Sequence, residues 1–122
     1  MEIRNQESRI SNSQEQSMFS RGLCMKLRPG CYAEYKRYHD ELWPELAKSM
    51  SDNDVSMAIF RHGDRLFLHT AAPSEEHWAR SRNVDVLDKW HEVMKALLET
   101  DENGEIIFDD LETAFEFGIF KD

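Results

Sequence analysis

The chain has 122 residues, of which 40% are apolar, so its length and composition fit one domain with one hydrophobic core. Its 24 acidic and 15 basic residues give a formal net charge of −9, and the basic residues form no cluster. This excludes a nucleic-acid-binding surface, which needs clustered Lys and Arg to displace counterions, and it disfavours binding to anionic membranes.

The first 18 residues, MEIRNQESRISNSQEQSM, are polar and lack the apolar stretch of a signal peptide. They predict a disordered tail, 1–18, in front of a folded domain over 19–122. No apolar run approaches the ~18 residues that a membrane-spanning helix needs. Cys24 and Cys31 are too few for a disulfide framework, so a reduced, cytoplasmic location is expected.

The folded domain should begin with a strand and a helix. Alternating apolar residues before the PG at 29–30 predict a strand over about 21–28. A spacing of three and four residues then predicts a helix over about 31–50 with an apolar stripe. The stripe consists of Tyr32, Tyr35, His39, Leu42, Trp43, Leu46 and Met50. Pro44 lacks an N–H, so the helix should kink there or restart with Pro44 in its first turn.

A hairpin, two helices and a last strand should follow. HGD at 62–64 predicts a turn between strands at about 55–61 and 65–71. PSEEHWARS at 73–81 predicts a short helix, and Asp85 with Asp88 approximates the capping box of a longer one. The apolar stripe of that longer helix consists of Leu87, Trp90, Met94 and Leu97 or Leu98. The acidic segment 99–110 is typical of a loop, and LETAFEFGIF at 111–120 predicts the last strand.

The order of these elements is strand, helix, strand, strand, helices, strand. It predicts an α+β, ferredoxin-like fold, in which an antiparallel sheet carries helices on one face. The other face of such a sheet stays bare in a single copy of the chain. A homodimer that stacks two sheets into a dimeric α/β barrel would bury that face.

His39 is the main candidate for chemistry. On a helix it shares one face with Tyr35, Leu42 and Trp43, and a neutral imidazole can exchange protons near neutral pH. The aromatic neighbours offer flat apolar surface of the kind that stacks on the C–H face of a sugar. From spacing alone, a core histidine with one satisfied hydrogen bond is the commoner arrangement, and Trp43 would then be a core residue as well.

His69 and His91 are weaker candidates. His69 shares a strand face with Arg65 and Phe67 and could reach either a cleft or a dimer interface, whereas His91 flanks the second helical stripe beside Trp90. No two histidines have metal-ligand spacing, and no GxGxxG, GxSxG or phosphate-binding loop is present. The sequence therefore predicts no metal and no cofactor, and any chemistry should be cofactor-free proton transfer.

The helical sequence YKRYHDELWPEL at 35–46 resembles the L-rhamnose mutarotase family, whose hallmark is a Y-x-x-x-H-x-x-x-W-P-E helix. MAIF, RLFLH, SEEHW, VDVLDKWHEVM and LETAFEF also occur in the family's order and spacing, so the resemblance covers about 19–120. It implies a dimeric ferredoxin-like isomerase that interconverts the α and β anomers of a 6-deoxy sugar without a cofactor. It also implies that His39 is the proton donor and that Trp90 contacts the sugar.

Two residues depart from the rhamnose-type members of the family. Met57 stands where those members carry a tyrosine, and His91 stands where they carry a second tryptophan. Methionine cannot donate the hydrogen bond of a tyrosine hydroxyl, and relatives that resemble L-fucose enzymes also have Met there, so the predicted substrate is L-rhamnose or L-fucose. His91 becomes a candidate base. The predicted substrate-binding residues are Trp90, Met57, His91, Tyr35, Trp43 and His69.

Two other classes of protein remain as alternatives at this point. The same fold also serves cofactor-free monooxygenases and cyclases, and it could serve a non-catalytic dimer that binds a small ligand. The polar cluster of His39, Asp40 and Glu45 favours a small hydrophilic ligand over a polycyclic one. A non-catalytic dimer predicts that replacement of His39 changes stability alone.

Overall fold

A computed structural model describes residues 18–120, so the predicted tail lies outside the described residues except for Met18. The strands are β1 (Phe19–Lys26), β2 (Ser56–His62), β3 (Arg65–Ala72) and β4 (Asp109–Asp110). The helices are α1 (Tyr32–Asp40), α2 (Pro44–Asp52), α3 (Glu75–Ser81) and α4 (Val86–Lys95), and a 3₁₀ turn spans Gly118–Phe120. The strand order β2-β3-β1-β4, with every pair antiparallel, confirms the predicted ferredoxin-like plan.

The register of the sheet assigns each side chain to one of two faces. Leu23 and Met25 of β1 stand opposite Leu68 and Leu66 of β3, and Ile59 of β2 stands beside Leu68. These residues pack against the helices, because successive strand residues alternate between faces and this set belongs to the apolar core. We call this the helix-covered face. The other face, which we call the open face, carries the intervening residues of the same strands.

The long helix predicted for 31–50 is two helices. α1 ends at Asp40, and α2 begins at Pro44, which occupies its first turn with Trp43 as the N-cap residue. The restart at Pro44 was one of the two outcomes expected from the missing proline N–H. As a result, the residues before Pro44 and those after it belong to separate helices, and the chain between them holds Trp43 against the core.

The caps of the two later helices differ. The Ser74 hydroxyl accepts a hydrogen bond from the backbone N–H of His77, at 3.2 Å, so the short helix α3 is capped as its sequence predicted. The capping box predicted at Asp85 and Asp88 is wrong, because the Asp85 side chain makes no cap hydrogen bond. Asp85 already has helical backbone angles, φ −58° and ψ −37°, and a helical residue is poorly placed to act as a side-chain cap.

The prediction of a strand over 111–120 is also wrong. Pairing with β1 stops after Leu23↔Asp110 and Cys24↔Asp109, and the chain then crosses the open face without regular structure as far as 117. The crossing is close at Gly22, where an added Cβ would lie 3.4 Å from the Leu111 side chain. The alternating residues 111–117 therefore remain largely exposed, including Phe115 at 81% and Phe117 at 76%.

Among residues 18–120, no helix has both the length and the apolar character to cross a lipid bilayer.

Candidate functional site

His39 lies in the last turn of α1, and a backbone hydrogen bond fixes the state of its ring. Its Nδ1 is 2.8 Å from the backbone carbonyl oxygen of Tyr35. A carbonyl oxygen only accepts, so Nδ1 carries the hydrogen and donates. In the neutral imidazole, Nε2 then holds the free lone pair and can take a proton.

Aromatic rings surround this imidazole. The ring centroid of His39 lies 4.2 Å from that of Tyr35 and 5.1 Å from that of Trp90, both in edge-to-face arrangements. Trp43 packs edge-to-face on Trp90, also at 5.1 Å. Trp43 lines none of the cavities described below; it is partly buried and packs against the core and Trp90.

Burial sets the protonation state of the two aromatic-flanked groups on α1. Burial lowers the pKa of His39, against the opposing effects of the Tyr35 carbonyl and the Asp40 charge, so the ring is neutral at pH 7. Burial raises the pKa of Tyr35, so its phenol also stays neutral. Asp40 pairs with Lys36 at 3.0 Å, which leaves the carboxylate beside His39 neutralised by its own neighbour.

Two cavities meet at His39. The outer cavity has a volume of about 340 Å³ and is bounded by α1, by β2 and by Met50 of α2. The inner cavity, of about 70 Å³, lies between the sheet and α4. Both are lined by the same four residues, Tyr35, His39, Met57 and Ile59. The imidazole therefore stands at the junction of a space large enough for a small ligand and a smaller, deeper one.

Trp90 and His91 line the inner cavity together with Arg82, at the end of α3. Burial lowers the pKa of His91, the positive charge of Arg82 lowers it further, and Asp88 opposes both. Arg82 was missed by sequence reasoning. It follows a short helix in the polar run ARSRN, and nothing in that run distinguishes its guanidinium from the solvated one of Arg80.

His69 lies apart from these residues, on the open face. Its Nε2 is 2.8 Å from the Ser20 hydroxyl oxygen, and its ring packs at 5.4 Å from that of Phe120. It borders a different cavity, of about 320 Å³, between the sheet and the C-terminal segment. Of the seven predicted site residues, the structure thus brings Tyr35, His39, Met57, Trp90 and His91 together, places Trp43 behind them and separates His69 from them.

A search for metal ligands within 18–120 finds no cluster of three or more His, Cys, Asp or Glu side chains that could hold an ion. Cys24 and Cys31 are both free thiols. Cys24 is buried on the open face of β1, opposite Phe67.

Fold and site together define a class: a ferredoxin-like α+β protein that holds a neutral imidazole among aromatic rings beside two small cavities. The family model of L-rhamnose mutarotases matches residues 21–117. The chain is 33% identical to an L-rhamnose mutarotase of Clostridium beijerinckii over 101 residues, which cover 80% of this chain and 97% of that protein. It is 29% identical to one of Tolumonas auensis over the same shares of the two chains.

The crystal structure of an L-rhamnose mutarotase from Formosa agariphila matches with a TM-score of 0.68 at 27% identity, over 82% of this chain and 99% of that one. The chain belongs to the L-rhamnose mutarotase family. The predicted family and its enzyme class, isomerases that interconvert anomers, are thereby confirmed. This favours the isomerase over the monooxygenase, cyclase and binding-protein alternatives.

Proposed function

We propose that this protein interconverts the α and β anomers of a 6-deoxy sugar, L-rhamnose or L-fucose, and that His39 moves the proton. The observation that carries the proposal is the state of that ring. Its Nδ1–H is held by the Tyr35 carbonyl at 2.8 Å, it is neutral through burial, and its Nε2 is left for a ligand where the two cavities meet.

The reaction needs one proton removed and one supplied. In ring opening, the anomeric O1–H gives its proton to Nε2 of His39, the C1–O5 bond breaks as the C1=O1 double bond forms, and the imidazolium so formed gives its proton to O5. After rotation about C1–C2, the reverse steps close the other anomer. The imidazolium formed in the first step is itself an acid, so a ring that starts neutral also fits the proton-donor role that the family resemblance implies. General acid–base help of this kind is typically worth ~10²–10⁴-fold.

The cavities suggest how the sugar lies. The inner cavity, of about 70 Å³, has room for about two waters at ~30 Å³ each, which is too little for a sugar ring. The outer cavity, of about 340 Å³, falls in the range of small-ligand sites. The ring therefore occupies the outer cavity against Tyr35 and Met57, and a substituent reaches the inner cavity beside Trp90 and His91. His91 is neutral there and is the second candidate to exchange a proton with O5 or O1.

A homodimer is part of the same proposal. The open face presents Phe60 at 67% exposure, and the C-terminal segment that crosses this face adds Phe115, Phe117 and Ile119 at 81%, 76% and 62%. Apolar surface of this kind on one side of a single copy is typical of an interface. A second copy stacked on the open face would cover it and would leave the cavities on the helix-covered face accessible. Sedimentation of the native protein should give twice the mass of one chain, and Phe117→Ser should shift it toward one.

The test of the activity is anomer exchange followed by saturation-transfer NMR. Freshly dissolved α-L-rhamnose and then L-fucose are mixed with the protein, and the exchange rate is compared with that in buffer alone. We expect exchange faster than in buffer for at least one of the two sugars, and the faster one identifies the substrate. Exchange at the buffer rate for both sugars would rule the proposed function out.

A further inference from the structure

Arg82 is a partly buried cation whose position is not explained by its neighbours in the chain. It is the residue after α3, it lines the inner cavity together with Trp90 and His91, and burial lowers its pKa. Its guanidinium carbon lies 5.0 Å from the centre of the Trp78 ring, a cation–π contact. A guanidinium carries five N–H donors, and a cation–π contact supplies no oxygen or nitrogen acceptor to any of them.

Within residues 18–120, those donors have no hydrogen-bonding acceptor and no carboxylate within ion-pair distance. The other arginines near it are different. Arg80 donates to the Asn53 side chain at 3.2 Å and pairs with Glu76 at 3.5 Å. Arg28, which is also partly buried, donates to the Lys95 carbonyl at 3.1 Å and to the Thr100 hydroxyl at 3.0 Å. Donors that are partly withdrawn from water and lack protein acceptors are costly, so a ligand that supplies acceptors would be favoured at Arg82.

We propose that Arg82 is a substrate-binding residue that donates hydrogen bonds to the sugar oxygens that enter the inner cavity. The proposal rests on the proposed function and adds a specificity determinant to it. A guanidinium presents two parallel N–H groups, which match a pair of neighbouring hydroxyl oxygens on a pyranose. It would supply donors in a site where Met57 has none, since both residues line the same cavity.

The residues that line the inner cavity are compatible with a sugar oxygen as the acceptor for the Arg82 donors. The other lining residues, apart from His39, His91 and the Tyr35 phenol, are apolar, so no protein carboxylate competes for Arg82 there. The charged groups that act on His91 are Arg82, Asp88, Lys95 and Glu105, and of these only Arg82 lines the cavity. An uncharged hydroxyl can bind at this point without loss of the neutral state of His91.

The experiment compares Arg82→Gln and Arg82→Lys with wild type, and it uses Arg80→Gln as the matched control. Arg80→Gln removes the same charge two residues away, outside the cavity. The dissociation constant of L-rhamnose and of L-fucose is measured by calorimetry, and KM and kcat are measured from anomer exchange. Hydrogen bonds to charged groups contribute ~1.5–3 kcal/mol, so Arg82→Gln should weaken binding about 10- to 100-fold. KM should rise by the same factor with kcat nearly unchanged, because the contact exists before and during the reaction.

Arg82→Lys keeps the stem and the charge, so it should fold even if Arg82→Gln does not. A single ammonium cannot reproduce two parallel N–H groups, and binding should therefore weaken several-fold. Monodeoxy analogues of the preferred sugar then identify the partner oxygen. The analogue that lacks this oxygen should bind to wild type more weakly than the parent sugar does. To the Arg82 variant, the analogue and the parent sugar should bind with equal affinity. A merely structural role would not produce this coupling.

The outcomes separate this inference from the proposed function. If Arg82→Gln binds the sugar as tightly as wild type does, the proposed role of Arg82 is refuted and the mutarotase proposal is unaffected. If Arg82→Gln is unfolded, the same conclusion follows from wild-type affinity in Arg82→Lys. An equal loss of affinity in Arg80→Gln would also overturn it. A wild type that binds a sugar without faster anomer exchange would refute the proposed reaction, while the binding data would still decide on Arg82. A wild type that binds neither sugar would refute both.

Discussion

The helix-covered face and the open face of the sheet are each bordered by a partly buried histidine, His39 from α1 and His69 from β3. His39 is tied to a backbone carbonyl through Nδ1 and leaves Nε2 at the junction of two cavities. His69 uses its Nε2 in a hydrogen bond to Ser20, and the C-terminal segment lies over it through Phe120. Nε2 is left for a ligand in His39, whereas Nε2 of His69 is hydrogen-bonded to the protein.

This difference shows that histidine chemistry depends on which ring nitrogen the fold occupies. A carbonyl four residues earlier on the same helix holds Nδ1 of His39 without help from another element. His69 has no such local partner, so a side chain from the neighbouring strand fixes it. The helix-covered face therefore has an imidazole that is bonded to the protein through Nδ1, whereas the open face has one that is bonded through Nε2.

The largest expected effect is on the reaction rate, when each of the two histidines is replaced by glutamine. His39→Gln removes the proton-exchanging nitrogen and should lower the enzyme-catalysed anomer exchange by ~10²–10⁴-fold. His69→Gln keeps a side chain that can bond to Ser20 and should leave the rate within about twofold, because a packing residue distant from the reacting atoms changes little. Saturation-transfer NMR at equal protein concentration measures both. Equal losses in the two variants would break the distinction between the faces.

The next effect concerns stability. Trp90 is 7% exposed and is contacted by His39, Trp43 and Tyr38. Trp90→Ala should lower the free energy of unfolding by ~3–5 kcal/mol, since it removes a large buried side chain. Lys89→Ala, on the exposed side of the same helix, should change it by less than about 0.5 kcal/mol. Urea unfolding gives both values, and a cost for Trp90→Ala near that of Lys89→Ala would contradict a packed helix-covered face.

A smaller effect is expected in the dependence of stability on pH. Burial lowers the pKa of His39 below the ~6.5 of an unfolded histidine, so the unfolded chain binds the proton more readily. The neutral ring's contribution to stability is fully present above pH 6.5 and is lost as the pH falls through the folded-state pKa. His39→Gln should therefore flatten the fall in unfolding free energy as the pH drops below about 6.5, by at most ~1.4 kcal/mol per pH unit. An unchanged slope in urea titrations would show that His39 is not buried as a neutral group.

The smallest effect should come from Met57, which lines both cavities. Met57→Tyr restores the hydroxyl that the rhamnose-type members are expected to carry. A neutral hydrogen bond contributes ~0.5–1.5 kcal/mol, so the ratio of kcat/KM for L-rhamnose to that for L-fucose should rise about 2- to 10-fold. Competition between the two sugars in one anomer-exchange experiment gives this ratio directly. A fall in the ratio would show that position 57 does not select for L-rhamnose.

Much of the helix-covered face could be predicted from local sequence. The hairpin around HGD, the stripe of α4 and the spacing of Tyr35 and His39 all follow from periodicities of two and about 3.6 residues. These periodicities also place Tyr35 and His39 on one side of α1, and the i,i+4 relation is what allows Nδ1 to reach the Tyr35 carbonyl. The restart of the helix at Pro44 was one of two outcomes that the missing N–H allowed.

The remaining features depend on contacts between distant parts of the chain. Residues 111–120 alternate like a strand, but a strand also needs a partner, and the pairing with β1 ends at Asp110, before this segment begins. Arg82 lines the inner cavity together with residues of β1, β2, β3, α1 and α4, and no local spacing encodes that arrangement. The position of His69 on the open face followed from strand parity, but its distance from His39 required the orientation of the whole sheet.

The most direct test of the account is to watch the histidine side chains while a sugar binds. Titration of ¹⁵N-labelled protein with the preferred sugar, followed through the imidazole nitrogen signals, reports His39, His91 and His69 in one experiment. We predict large shifts at Nε2 of His39, smaller shifts at His91 and none at His69. Shifts at His69 with unchanged His39 signals would contradict a sugar site on the helix-covered face.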